Sequence, residues 1–463
     1  MSLCATVLRV PATPRTRPTA TLDRSRVGAA VEWSLLAVGL TMLAIGQAHG
    51  LFGDDLVRKH MLDELWDRGH LTTDPYSLVG PLLASPFWWL DRVTGGDGAW
   101  LGYFNVTLFA LGLGCGYLLL YRRIDAELLR RFLLTLVATT MIARFVSLFA
   151  AEVFTGLAIG LGVVAVVAGT RRAVRLAGWV AIVLGTANTP AITVGVAAVC
   201  VAEVLARRRL RFLLPIVAAV ALIGAENWLR RGSPVNTGYA DAAPVVPTVM
   251  PYSAEHGFSY PFVLGVAAIL FSFGKGVLWY APGLVLPVRR RLCEPALARV
   301  YVYWMLLVAG LVVVYASWWS WYGGVGWGPR FFMIAILPAS LGLALALGDR
   351  RIRPLASLAT LAVLVLSIWV AADSLAFGQL LPPECRAYQP LEMLCHFTPE
   401  FSALWYPFLA APPLGRSEVV AFAFYAVVLI WLAAPVLVRL FQRSLEWSRS
   451  TALPWLATAP WRW

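Results

Sequence analysis

Apolar residues in this chain fall in long, nearly unbroken runs separated by short stretches rich in arginine, glycine and proline. A helix that crosses ~30 Å of hydrocarbon needs about 20 predominantly apolar residues. Runs near that length lie at Val27–Leu51, Ala99–Tyr121, Phe132–Phe149, Val153–Gly169, Phe212–Leu229, Phe262–Val288, Val300–Ala316, Phe331–Leu347, Leu355–Ala372 and Val419–Leu440. One more apolar stretch sits between arginine clusters at Arg175 and Arg207. If both clusters stay on one side of the bilayer, that stretch crosses twice. Its centre, Gly185-Thr186-Ala187-Asn188-Thr189-Pro190, has the turn chemistry of a tight hairpin. The pattern predicts an all-α polytopic membrane protein of about twelve transmembrane helices.

Composition agrees. Apolar residues make up 59% of the 463 and charged residues only 14%, with a mean hydropathy of +0.72. A soluble chain is about a quarter charged and could not bury so much apolar surface. The net charge of +13 suggests nucleic acid, but its distribution speaks against that partner. Lys59 and Lys275 are the only lysines, a bias typical of a GC-rich bacterial genome. The arginines bracket the apolar runs: Arg122/Arg123, Arg171/Arg172/Arg175, Arg207 to Arg211, Arg289 to Arg291, and Arg350/Arg351/Arg353. Cytoplasmic loops under the positive-inside rule look like this, with acidic lipid headgroups as neighbours. Residues 1–26 carry five arginines and no apolar core, so they read as a disordered basic cytoplasmic tail ahead of a signal-anchor helix. The membrane domain then spans 27–440, and 441–463 form a second cytoplasmic tail.

This topology places 52–98, 230–261, 317–330 and 373–418 on the external face of the plasma membrane. All five histidines fall in or beside these segments (His49, His60, His70, His256 and His396), and eight acidic residues crowd the first one. The chemistry is therefore expected there. Cys385 and Cys395 share the last external segment, in an oxidising compartment, and are expected to form a disulfide.

Directly after the first run, Asp54 to Arg68 reads as an amphipathic helix, with Val57, Met61, Leu65 and Trp66 as its apolar stripe and Gly69 as its stop. Asp54, Asp55 and Arg58 share a face. Carboxylates at a helix N-terminus also complement its dipole, and Asp54–Arg58 could be a surface ion pair. Beside a membrane span, ionisable groups more often serve function.

The loop that follows gives the chain a familiar look. With its acidic pair and following arginine, it resembles the integral-membrane glycosyltransferases of the GT-C superfamily, especially bacterial relatives of protein O-mannosyltransferases and lipid A aminoarabinose transferases. Ala151-Glu152-Val153-Phe154 is similar to that family's turn after the third span, without its proline. Asn227-Trp228-Leu229-Arg230-Arg231-Gly232-Ser233-Pro234 with Thr237-Gly238-Tyr239 resembles a second element. Phe271-Ser272-Phe273-Gly274-Lys275-Gly276 with Trp279-Tyr280-Ala281-Pro282 resembles a third. Trp321-Tyr322-Gly323-Gly324 and Trp327-Gly328-Pro329-Arg330 resemble a fourth. The resemblance runs from about residue 50 to 340.

It implies a polyprenyl-phosphate-linked sugar as donor and a glycan, lipid or protein hydroxyl as acceptor. A phosphate leaves readily, so the reaction needs a base for the acceptor and cations for the departing anion. Asp54 is the expected base, with a pKa raised at the low-dielectric rim, and Asp55 its alternate or orienting partner. Glu152 is a third carboxylate, or simply an acid at a helix start. Arg58, Lys275, Tyr280 and Arg330 are the expected donor-binding groups, with the Gly274 and Gly276 amides; snorkelling is the bland reading of Lys275 and Arg330. Trp321, Tyr322 and Trp327 would stack on sugar or prenyl chain, or else belong to an interfacial belt. No obligatory metal is expected, since His60 and His70 are ten apart and no His/Glu pair sits at ligand spacing. A divalent cation on Asp54, Asp55 and Glu152 would require the fold to converge them. Two other classes compete: a secondary transporter, for which the break around Asn188 is the best sign, and a non-catalytic glycan-assembly subunit.

Intact-mass analysis after alkylation without reductant should leave Cys385 and Cys395 unmodified. Addition of reductant before the alkylating agent should expose both.

Overall fold

The computed structural model describes residues 19–239, 257–288, 291–324, 326–378, 380–385, 391 and 393–457, with backbone alone at 19–25 and 447–457. The described residues form helices and loops, without a strand. The chain begins with α1 (Thr19–Ile45), then the short-loop helices α2 (Asp54–Arg68) and α3 (Val79–Thr94). A single turn, α4 (Ala99–Gly102), leads into α5 (Phe104–Leu120). Next come α6 (Ala126–Ala138), α7 (Ile142–Val146) and the central α8 (Ala151–Ala168). The hairpin follows as α9 (Arg172–Asn188) and α10 (Thr193–Arg207), then α11 (Leu214–Arg231). After it lie α12 (Phe262–Phe271), α13 (Val277–Tyr280) and α14 (Pro295–Tyr315). The last part holds α15 (Ile336–Gly348), α16 (Pro354–Ala376), the short α17 (Leu394–Phe397) and α18 (Tyr406–Ala410), and the long α19 (Arg416–Ala457).

Among the described residues nine helices are long and apolar enough to cross a membrane. The expected count of about twelve included three runs that fold differently. Phe132–Phe149 breaks into α6 and α7 because Thr139 and Thr140 turn their hydroxyls back onto the Thr135 and Leu136 carbonyls, at 2.7 and 2.8 Å, where the helix ends. Phe262–Val288 breaks at Ser272–Gly276, where the Gly274 N–H turns to the His396 carbonyl and the Gly276 N–H to that of Ser272. The α9 arm of the hairpin is a 17-residue helix. The hairpin turns at Asn188–Pro190, since proline cannot continue a helix.

At both ends helix extends into stretches read as tails. α1 already runs from Thr19, inside the expected disordered segment, while 1–18 lie outside the described residues. α19 continues past Leu440, where Arg443 donates to the Ile352 and Arg350 carbonyls and ties it to the loop before α16.

In lipid, helices gain little from hydrophobic contact and associate through close packing of small residues. α8 is mostly buried and packs along α5, α9 and α14. Gly160 leaves its carbonyl open to the indole N–H of Trp304 at 3.0 Å. α10 and α14 touch backbone to backbone, so that a Cβ at Gly310 would lie 2.4 Å from the Gly195 Cα.

Gly310→Ala should therefore lower the thermal midpoint in detergent by an amount equivalent to about 1–3 kcal/mol. Gly114→Ala, where a Cβ meets nothing within 4 Å, should leave the midpoint unchanged in the same melt.

Candidate active site

The site grows from the first two residues of α2. Gly53 precedes them with φ +55°, and Gly69 closes the helix at φ +69°. Adjacent residues on a helix point about 100° apart, so the two aspartates face different surroundings. Asp55 turns inward and is 3% exposed. It accepts from the Arg58 guanidinium at 3.1 Å and from the backbone N–H of Phe149 at 3.1 Å and Phe52 at 3.5 Å. Asp54 turns toward the second half of the chain and accepts from Arg330 Nη1 at 2.7 Å and from the Tyr76 hydroxyl. The expected Asp54–Arg58 pair is thus replaced by Asp55–Arg58, and Asp54 is matched by an arginine 276 positions away.

Glu152 completes the group. It lies in the first turn of α8, with Oε1 3.7 Å from Arg330 Nε. The guanidinium is therefore held between two carboxylates. Asp54 and Arg330 keep about a quarter of their side-chain surface open, 25% and 29%, so this pair is the reachable part of the cluster. Tyr239 faces the same carboxylates. Arg58, 4% exposed, stacks its guanidinium 4.8 Å above the Tyr76 ring and supports the site from beneath rather than opening onto it.

Three polar clamps hold these pieces. Arg230 donates to the carbonyls of Thr72 and Asp74 at 2.8 and 2.9 Å and also to that of Tyr76. Glu226 accepts from Arg230, from Ser77 Oγ and from Leu78 N–H. The element around Asn227–Pro234 therefore fixes the path of residues 72–78, including Tyr76. Asn188, at the hairpin turn, accepts from Gly80 N–H at 2.9 Å and donates to the Ala151 carbonyl at 3.1 Å. It pins α3 beside the start of α8. The break that suggested a transporter is a structural knot.

The third clamp is Lys275. Its ammonium donates to the carbonyls of Gly324, Gly326 and Gly328 at 3.0, 2.7 and 3.2 Å, and the residue is 4% exposed. A lysine has three N–H donors, and three carbonyls take them up. Lys275 thereby shapes the loop before Arg330. The Gly274 and Gly276 amides are engaged as well, by the His396 and Ser272 carbonyls. Gly274 is glycine because a Cβ there would lie 2.0 Å from the Cys395 carbonyl. Cys395 is joined to Cys385 by a disulfide.

The remaining expected site residues are core. Trp321, Tyr322 and Trp327 are 2%, 5% and 3% exposed, which leaves no ring face for a sugar. Trp327 donates to Asp373 at 2.6 Å and stands edge-on to Tyr280, itself fully buried. Tyr322 lies against His396, with ring centres 4.6 Å apart. Their burial follows from the loop's glycines, which fold it back onto α13 and α17. Within 230–261, residues 240–256, including His256, lie outside the described residues. Among the described residues no three metal-ligating side chains come together as a group.

Electrostatics separates the aspartates in the sense opposite to expectation. Burial would raise Asp54, but Arg330, Arg58 and the Tyr76 hydroxyl outweigh it and hold the carboxyl below its ordinary value. Burial pushes Asp55 up to about 6, against the opposing pull of Arg58 and the two amides. Burial and the neighbouring Asp54 charge raise Tyr76, so its phenol stays a proton donor. Tyr76 and Glu226 were not anticipated, and Asn188 reads from sequence as part of a hairpin turn, without its contacts to Gly80 and Ala151. Their partners lie far away in sequence, and no local pattern announces them.

No protein-family model matches the chain, and no curated protein does. Among solved structures the chain is similar to ArnT from Cupriavidus metallidurans bound to undecaprenyl phosphate, at 14% identity over 90% of this chain and 78% of that one, with a TM-score of 0.46.

A carboxyl whose pKa is raised on folding stabilises the fold while protonated, and that stability is lost as pH rises through the folded value. For Asp55 the window runs from about pH 4 to about pH 6. The melting advantage of wild type over Asp55→Asn should shrink across this window, by an amount on the order of 3 kcal/mol. Scanning fluorimetry of both proteins from pH 4 to 7 measures it.

Proposed function

We propose that this protein is a membrane glycosyltransferase that moves a sugar from a polyprenyl-phosphate donor to an acceptor hydroxyl, on the external face of the plasma membrane. One observation carries the reading. The sequence elements that resemble the GT-C superfamily, scattered from residue 50 to 340, serve a single carboxylate. Asp54 comes from the first, Arg330 pairs with it from another, Glu152 holds Arg330 from a third, and Arg230 and Lys275 brace the loops that present Tyr76 and Arg330.

In the reaction, the acceptor oxygen bonds to the anomeric carbon while the bond from that carbon to the phosphate oxygen breaks. The electron pair leaves with the phosphate, and the acceptor proton passes to Asp54. Arg330 is the cation for the departing phosphate, and Glu152 keeps it in place from the far side. With Arg330 fully engaged by Asp54 the carboxylate is a weak base. A donor phosphate draws the guanidinium toward itself, relieves Asp54 of its counter-charge and raises its basicity once the donor is bound. The lipid bilayer delivers the donor, and nucleic acid has no part.

Asp54→Asn should abolish transfer, a loss of at least 100-fold, in a protein that still folds and inserts. Arg330→Ala should raise the apparent KM for the lipid donor more than that for the acceptor. The assay is incubation of the purified chain with a panel of radiolabelled polyprenyl-phosphate sugars. Wild-type turnover by Asp54→Asn would remove the base from the mechanism.

A further inference from the structure

The bundle carries a second polar region, far from the acidic site. The segment that begins at Arg330 continues through α15 and ends at Gly348, so the two regions are separated by at least the length of α15, about 20 Å. At that end opens a cavity of about 1670 Å³, walled by the start of α6, by Pro287, Val288, Arg291 and Cys293, by the end of α15, by residues 350–356 and by α19.

Its lining is cationic. Arg131, Arg291, Arg350, Arg351, Arg353 and Arg439 stand against three acids, Asp125, Glu127 and Asp349. The acids are largely occupied: Asp125 caps α6 through the Glu127 and Leu128 amides, Glu127 pairs with Arg131, and Asp349 with Arg291 Nε at 3.0 Å. Two guanidinium groups keep a donor in hand. Arg291 Nη1 and Arg439 Nε are buried and have no hydrogen-bond partner, although Arg439 Nη2 donates to the Leu347 carbonyl at 2.9 Å. A buried charged N–H without an acceptor is costly, so such groups call for an anion.

The wall itself is apolar, with Leu128, Val288 and Leu345 among the arginines. The outer faces of the same helices expose Leu355, Leu358, Leu437 and Phe441, the surface that acyl chains cover. Polar donors inside and bare aliphatic side chains at the rim fit an amphiphile. Basic cavities between transmembrane helices on the positive side of a membrane protein suit anionic lipid headgroups, and arginine's planar fork suits phosphate.

We propose that this cavity, between α6, α15 and α19, is a binding site for the phosphate of an anionic phospholipid headgroup, held by Arg291 and Arg439. It is independent of the sugar-transfer reading, because it shares no residue with the acidic site.

The test uses the full chain, purified in a neutral detergent and titrated with dioleoyl-phosphatidylglycerol or dioleoyl-phosphatidylcholine, with retained lipid counted by native mass spectrometry. Wild type should hold the phosphatidylglycerol at least tenfold more tightly. Arg291→Gln/Arg439→Gln should lose that preference, while Arg122→Gln/Arg123→Gln, on another arginine cluster, should keep it. Millimolar glycerol phosphate or inorganic phosphate is the competing arm. Displacement of the lipid supports recognition through phosphate, and binding of inorganic phosphate without a lipid preference supports the site but assigns it to a soluble anion. Equal retention of the two lipids by wild type, with no binding of inorganic phosphate, overturns the proposal. So does undiminished phosphatidylglycerol binding by the double variant. The wild-type comparison needs no variant and decides the matter even if the double variant does not fold.

Discussion

A guanidinium between two carboxylates organises the polar end of this protein. Arg330 comes from the loop that enters α15, Asp54 from the start of α2 and Glu152 from the start of α8, so one side chain joins three elements from distant parts of the chain. Such pairs contribute little net stability, because both partners give up hydration to form them. They do fix geometry. Each carboxylate leaves the guanidinium somewhere to point, and a single unmatched charge at this depth would be costly.

Around that centre the protein uses cations in two distinct ways. Arg330 and Arg58 meet carboxylates, whereas Lys275, Arg230 and Arg231 gather backbone carbonyls, Arg230 while also pairing with Glu226. The second use suits a protein whose loops lie beside a hydrocarbon slab. Irregular backbone there has few water molecules to satisfy it, and a multi-donor side chain can gather several carbonyls at once. This explains why residues that look suited to phosphate in a linear reading turn out to be braces. Gly274-Lys275-Gly276 has glycines on both sides of a cation because the backbone packs tightly there, against Cys395 and back onto Ser272.

Much of the architecture was legible in the sequence. The boundaries of α2 follow from its acidic start, its apolar spacing and its glycine stop, and the hairpin follows from charge placement and turn chemistry. Even there the buried stripe shifts: Leu62 is fully buried, while Trp66 is 44% exposed and donates to Ser85. Periodicity says which residues share a face but not how that face is rotated against its neighbours. Asp54 could be ranked ahead of Asp55 as base, but for that reason the partner of Arg58 and the direction of the Asp54 pKa shift were read the wrong way. Burial of the tryptophans was hidden for a related reason, since an indole suits both an interface and a core. The ion pair across 276 positions leaves no local trace at all.

The grip of Arg230 and Arg231 on residues 72–76 has an evolutionary side. Nearly all of its hydrogen bonds end on main-chain oxygen, which every amino acid supplies. The side chains of Thr73 and Asp74 are therefore at liberty to change without disturbing the trace of the segment. A rim built this way can drift in chemistry while Tyr76 and Asp54 stay where they are.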